Sequence, residues 1–260
     1  MTGIGKAAAP KLELRQKLSV LPKDGGMLVE EVRKAITIHN ETIAASNSFH
    51  SLFSERYKNN QESDDPYEQD LLRAMLLFSC SGLDATLKQL VRDSLERVIS
   101  RDEGAQKQFA KYIERRLKRG SADDNDRSQA GPLNLDYALL ANFLASPTPR
   151  IESLNSLTAN LTSDSLQSRD QLLKVAAHFA LTKEDILADD EITKRAFEAR
   201  NQLAHEMDID FRADQRRRSR AYSDMVRWSE NILTIGGQFI ARVSEKISLG
   251  NVVNGINADQ

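Results

Sequence analysis

The stretch Arg200-Asn201-Gln202-Leu203-Ala204-His205 holds the residue types needed to work on a phosphodiester. Arginine is a permanent cation that grips phosphate through a planar fork of donors. Histidine exchanges protons near neutral pH. Asn201 and His205 are four residues apart, so on a helix they share a face. Arg200 and His205 are five apart and lie about 140° from each other on an ideal helix. Three arrangements bring such a pair together: an Arg side chain reaching round, a helix that opens beyond His205, or a second copy of the motif in a symmetric dimer. Taken alone, a pair of this kind more often belongs to a solvated polar helix, with the His near a C-terminus where positive charge suits the dipole.

Five arginines follow closely: Arg212, Arg216, Arg217, Arg218 and Arg220. Together they can grip an RNA backbone beside the motif. The competing reading is a charged helix start, with Glu206, Asp210 and Asp214 nearby as partners. A second basic run, Arg115, Arg116, Lys118 and Arg119, reads as a solvated helix end. Other chemistries find little support. His39, His50 and His178 are scattered and form no zinc-type pair, so no metal ligands are expected. Ser121 to Asp126 lacks the glycine and terminal Glu of a calcium loop. There is no phosphate-cradling glycine loop and no serine elbow.

The scaffold that must position these residues is helical by composition. The chain has 260 residues, 40% hydrophobic and only 6% aromatic, with 12 Gly and 6 Pro. Leu, Ala, Glu, Lys, Arg, Gln and Asp dominate, which favours helix over sheet. With 36 basic and 38 acidic residues there is no global field for nucleic acid, so any such surface is local. The single Cys80 excludes an intrachain disulfide and reads as a small core residue. No run reaches membrane-spanning length and no signal peptide is visible, so a cytoplasmic location is the simplest expectation.

Residues 1–26 read as a flexible arm ending at Gly25-Gly26, followed by one helical domain over 27–248 and a frayed tail over 249–260. Helices are predicted over about 27–58, 66–100, 105–118, 135–145, 150–161, 169–181, 190–206 and 216–247. The 66–100 segment has a wide apolar face that includes Leu72, Met75, Phe78, Leu83 and Leu87, as suits a central helix. Gly82 within it points either to a close helix contact, such as a dimer seam, or to a tolerated glycine. Thr182 to Asp185 resembles a capping box. Polar loops are expected over 59–65 and 120–132.

On this layout Arg200-Asn201-x-x-x-His205 resembles the HEPN superfamily, whose pattern is Arg, a few residues, then His. Ala199 to Glu206 is similar to that family's "RN-x-x-AH" context, and Ser81 to Asp93 resembles its first core helix. The resemblance spans roughly 66–100 and 185–245, with 101–184 as a helical insertion. It implies an all-α HEPN-like bundle and metal-independent RNA cleavage at a homodimer interface, with no cofactor. His205 would serve as general acid or base, and Arg200 would neutralise charge on phosphorus. Asn201 would orient the His or a phosphate, and Asp84 would tune His205. The closest sub-group is that of stand-alone toxins and phage-defence ribonucleases. Transfer RNA is then the expected substrate class, and an antitoxin or sensor the expected partner. Some HEPN toxins carry a Tyr two residues after the His, which a partner adenylylates. Met207 stands there in this chain, a departure that argues against such control. The other reading within the family is a catalytically silent module that binds RNA or assembles a defence complex.

Overall fold

Pro66 opens the helix around which the rest is arranged, at a position where its missing N–H removes no helical hydrogen bond. The computed structural model describes residues 30–59, 66–119, 136–212 and 215–255. The expected arm, most of both polar loops and the end of the tail lie outside the described residues. The elements are α1 (Glu30–Asn59), α2 (Pro66–Arg101), α3 (Glu103–Arg119), α4 (Tyr137–Ala145), α5 (Pro149–Thr162), α6 (Arg169–His178), α7 (Lys183–Ile186), α8 (Asp190–Glu206) and α9 (Tyr222–Gly255). The fold is all-α. Among the described residues the one β feature is an isolated antiparallel bridge between Ile209 and Arg217. No described helix is long and apolar enough to cross a membrane.

The central position of α2 follows from its sequence. Leu72, Met75, Leu76, Cys80, Leu83, Leu87, Leu90, Val91, Leu95 and Val98 are all buried, covering more of the helix than one stripe. Such a helix must be packed on several sides, and α2 touches α1, α3, α5, α8 and α9. Phe78 departs from the expected pattern. It is 52% exposed, with its ring beside that of Phe49 at 5.1 Å.

Gly82 is explained within the chain rather than at a dimer seam. A Cβ there would lie 2.0 Å from Thr42 Oγ1 and 2.6 Å from Thr42 Cβ of α1. One turn away, the hydroxyls of Ser46 and Ser79 share a buried 2.9 Å hydrogen bond. Small residues thus let the α1 and α2 backbones approach closely. Gly236 does the same for α9, where a Cβ would lie 2.8 Å from His39 Nδ1.

The inserted helices are not an appendage. Leu154 and Leu157 of α5, Leu172 and Val175 of α6, Phe179 and Ile186 belong to the same core cluster as α1, α2 and α9. The Thr182 capping box is present, with Thr182 N–H donating to Asp185 Oδ2 at 2.8 Å. At the C-terminal end α9 continues to Gly255, into the stretch expected to fray. At its start, α9 begins at Tyr222 rather than near Arg216.

Gly82→Ala should lower stability by roughly 1–3 kcal/mol, the usual cost of overpacking, read as a shift in denaturation midpoint. Adding Thr42→Ala removes the two nearest clashing atoms but leaves its Cβ, so the double variant should recover only part of the loss. Full recovery would mean that α1 and α2 separate freely.

Candidate active site

The motif helix α8 is pinned at its start by two aspartates. Asp189 caps it, accepting from Ile192 N–H at 3.0 Å. Asp190 is clamped by Arg169 Nη2 at 3.2 Å and Lys183 Nζ at 2.8 Å. The hydrogen bond from Arg169, then that from Lys183, hold the Asp190 carboxyl far below the usual carboxylate range. In the first turn, Asn231 of α9 donates to Thr193 Oγ1 at 2.9 Å in the core.

The inward stripe of α8 comprises Thr193, Ala196, Phe197, Ala199 and Leu203. Arg200 stands three residues from Phe197 and Leu203, so its Cβ belongs to that stripe, and it is half-buried. Its Nη1 donates to Asn201 Oδ1 at 3.0 Å. Asn201 therefore braces Arg200, not His205. Across the helix interface lies Cys80, fully buried as expected. Burial pushes its thiol up to about 12, while the Arg200 charge acts in the opposite direction. His205 sits on the outer side of the last turn and is exposed. Among the described residues no hydrogen bond or ion pair joins Arg200 to His205. The separation expected from spacing alone is therefore present within one chain.

Asp84 is not near this end. Its Oδ1 accepts from Leu166 N–H at 2.6 Å, and its Oδ2 pairs with Lys88 Nζ at 3.0 Å. The His205 end of α8 is tied to α2 at Arg73, through Asp208. Asp84 lies eleven residues further along α2, roughly 16 Å at 1.5 Å per residue. It fixes the approach to α6, away from the His205 of its own chain.

Beyond His205 the chain turns sharply. Met207 and Asp208 both take left-handed backbone angles, with φ of 52° and 61°. Asp208 N–H reaches six residues back to Gln202 O at 3.0 Å, a helix-closing bond for which glycine is the usual residue. Two consecutive non-glycine residues in this region persist only where the surroundings enforce it. Here Asp208 does so. Its carboxylate is fully buried and accepts from Arg73 Nε at 2.8 Å and from Arg220 Nε at 3.1 and 3.2 Å. Arg218 stands at 3.9 Å from the same carboxylate. The backbone then returns beside itself, with Arg218 N–H on Asp208 O and Asp210 N–H on Arg216 O, both at 2.8 Å. Residues 216–220 are consequently extended, not a helix start.

This changes the expected RNA-gripping set. Arg218 pairs with Glu206 at 3.2 Å, and Arg220 is spent on Asp208 and on Gln202 Oε1 at 2.7 Å. Arg217 pairs with Asp70 at 2.7 Å. Partial burial works to raise the Asp70 pKa, but Arg217 and Arg73 outweigh it and hold that carboxyl low. The arginines facing Asp70, Glu206, Asp208 and Asp210 are thus largely charge-compensated within the chain. Arg212, Arg216 and Arg217 remain exposed. Beside them, Met207 is 67% and Phe211 64% exposed. Phe211 and the buried Arg73 escaped the sequence reading. An aromatic within an arginine run is a signal for stacking on nucleic-acid bases, and an arginine inside the apolar text Leu71-Leu72-Arg73-Ala74-Met75 is a signal for a buried ion pair.

Comparison with protein-family models, curated proteins and solved structures finds no match to this chain.

Asp208→Ala should destabilise the fold by about 3–5 kcal/mol in equilibrium unfolding, because it removes the fully buried carboxylate shared by Arg73 and Arg220 and leaves Arg73 only the more exposed carboxylate of Asp70. A loss under about 1 kcal/mol would mean that the arginines resolvate. Asp190 supplies a pH test. A depressed folded-state pKa contributes stability above the unfolded value of about 4, and that contribution is lost as pH falls below it. The stability gap between the parent chain and Asp190→Asn should therefore be full at neutral pH and close under acid. A gap that stays constant down to pH 3 would show that the carboxylate charge is not what pins α8.

Proposed function

We propose that this chain is a HEPN-type endoribonuclease that cleaves RNA without a metal ion and works as a homodimer, as a toxin or antiviral-defence effector. The observation that carries the reading is the state of His205. It is exposed, without an intramolecular hydrogen-bond partner among the described residues, at the end of a helix held by acids at both ends. Its neighbours suit RNA: Phe211 can stack on a base, and Arg212, Arg216 and Arg217 can meet phosphates. Arg200, braced by Asn201, is the phosphate-binding partner.

In the proposed reaction the ribose 2′-OH attacks the adjacent phosphorus while one His205 accepts its proton. The P–O5′ bond breaks, and the leaving oxygen takes a proton from the second His205. The products are a 2′,3′-cyclic phosphate and a 5′-OH. Arg200 offsets the charge that builds on the phosphate oxygens. Because Arg200 and His205 point to different sides of one α8, two chains supply the site between them. Transfer RNA is the proposed substrate class, and an antitoxin or sensor is the proposed controlling partner.

The second reading, a catalytically silent module that binds RNA or assembles a defence complex, is favoured by the lack of contact between Arg200 and His205. Both readings meet one experiment, RNA cleavage by the purified chain in excess EDTA, with the RNA ends sequenced. His205→Ala and Arg200→Ala should each slow cleavage by about 100-fold or more. Cleavage that survives both changes would sink the site assignment, and binding with no cleavage by the parent chain would select the second reading.

A further inference from the structure

The inserted helices carry a cleft that shares no residue with the α8 motif. It encloses about 320 Å³ between α3, α5 and α6, a size at the lower end of small-molecule sites. Arg115 and Arg116 enter from α3 and Lys174 from α6, and no carboxylate lines it. Among the described residues none of these three cations is ion-paired with an acid. Glu114, beside them in sequence, is taken by Lys118 at 2.5 Å. Like charges gathered on a concave, low-dielectric wall repel one another and focus a positive potential into the space between them.

The remaining lining is polar and aromatic. Tyr112 Oη and Ser156 Oγ share a 3.0 Å hydrogen bond across the α3–α5 boundary. The Tyr112 and His178 rings meet edge to face, with centroids 6.4 Å apart. His178 Nδ1 is buried without a hydrogen-bond partner. Burial first, then Lys174 and Arg115, push the His178 pKa down to about 4. The imidazole is therefore neutral at pH 7, and the cationic charge of the cleft comes from the other three side chains.

We propose that this cleft binds a small ligand carrying two linked phosphates, as in inorganic pyrophosphate or a nucleoside diphosphate. A terminal phosphate brings about −1.5 to −2 charge near neutral pH and the phosphate linked to it at least one more, so a linked pair balances Arg115, Arg116 and Lys174 where a single phosphate does not. The neutral His178 and the Tyr112–Ser156 pair add hydrogen-bonding groups that do not repel the ligand. The confined shape favours a compact ligand over an RNA strand, which would follow an extended basic track.

Calorimetric titration of the full chain with pyrophosphate, ADP and inorganic phosphate tests this. Pyrophosphate and ADP should bind, and inorganic phosphate should bind more weakly. Arg115→Gln and Lys174→Gln should each weaken pyrophosphate about tenfold. Both side chains are exposed, so the ligand-free melting temperature should not move. His205→Ala should bind pyrophosphate as the parent chain does. The proposal falls if pyrophosphate does not bind, if the Arg115 and Lys174 variants bind it unchanged, or if His205→Ala abolishes binding. It also falls if only a single-stranded RNA oligonucleotide loses affinity in those variants, because the cleft would then be part of an RNA track.

Discussion

A fully buried carboxylate, Asp208, organises the end of the molecule that carries the motif. Removing a charge from water is expensive unless partners replace the lost hydration. Arg73 of α2 and Arg220, which leads into α9, supply them directly, with Arg218 at longer range. One side chain thereby ties the end of α8 both to the nearby approach to α9 and to α2, distant in sequence. It also holds the left-handed pair Met207 and Asp208, and so sets where α8 stops. The exposure of His205 in the final turn is a consequence of that stop.

The fold was legible where it rests on local pattern. The α8 limits follow from Asp189 at the cap and the periodic apolar residues behind it, and α2 follows from Pro66 and its broad apolar surface. What was not legible depended on contacts distant in sequence. The arginines after the motif read as an RNA grip or a helix start. Whether Arg218 and Arg220 face solvent or acids depends on Asp208 and on α2, which local spacing does not reveal. The same holds for Gly82, whose partner Thr42 lies on another helix, and for Asp84, whose oxygens are taken by Leu166 N–H and Lys88. Phe78 kept the helical period yet is half exposed, meeting the ring of Phe49 on α1.

The motif itself was fully readable as residue types and only partly as geometry. The spacing of Arg200 and His205 predicts their separation, and the structure keeps them separate within one chain. Asn201 belongs with Arg200, so of the two motif residues Arg200 has a side-chain partner beside it and, among the described residues, His205 does not. The insertion was legible as helices but not as part of the core, since its leucines look the same whether they pack on each other or on α2. The cleft between α3, α5 and α6 shows the same limit: Arg115 and Arg116 look like a helix end until Lys174 is brought opposite them.

The Arg73–Asp208 contact joins residues 135 positions apart, and Gln69 meets Arg220 across 151. Contacts of such separation form late relative to local helices, because the intervening chain must first be closed into a loop. During synthesis, α1 and α2 leave the ribosome long before the α8–α9 turn exists. The histidine end of α8 therefore takes its final form only once residues as far as Arg220 are available to fold. Chains stopped before Asp208 retain Arg73 with only the Asp70 carboxylate beside it, so this fold delays maturation of the motif until the α8–α9 turn has been made.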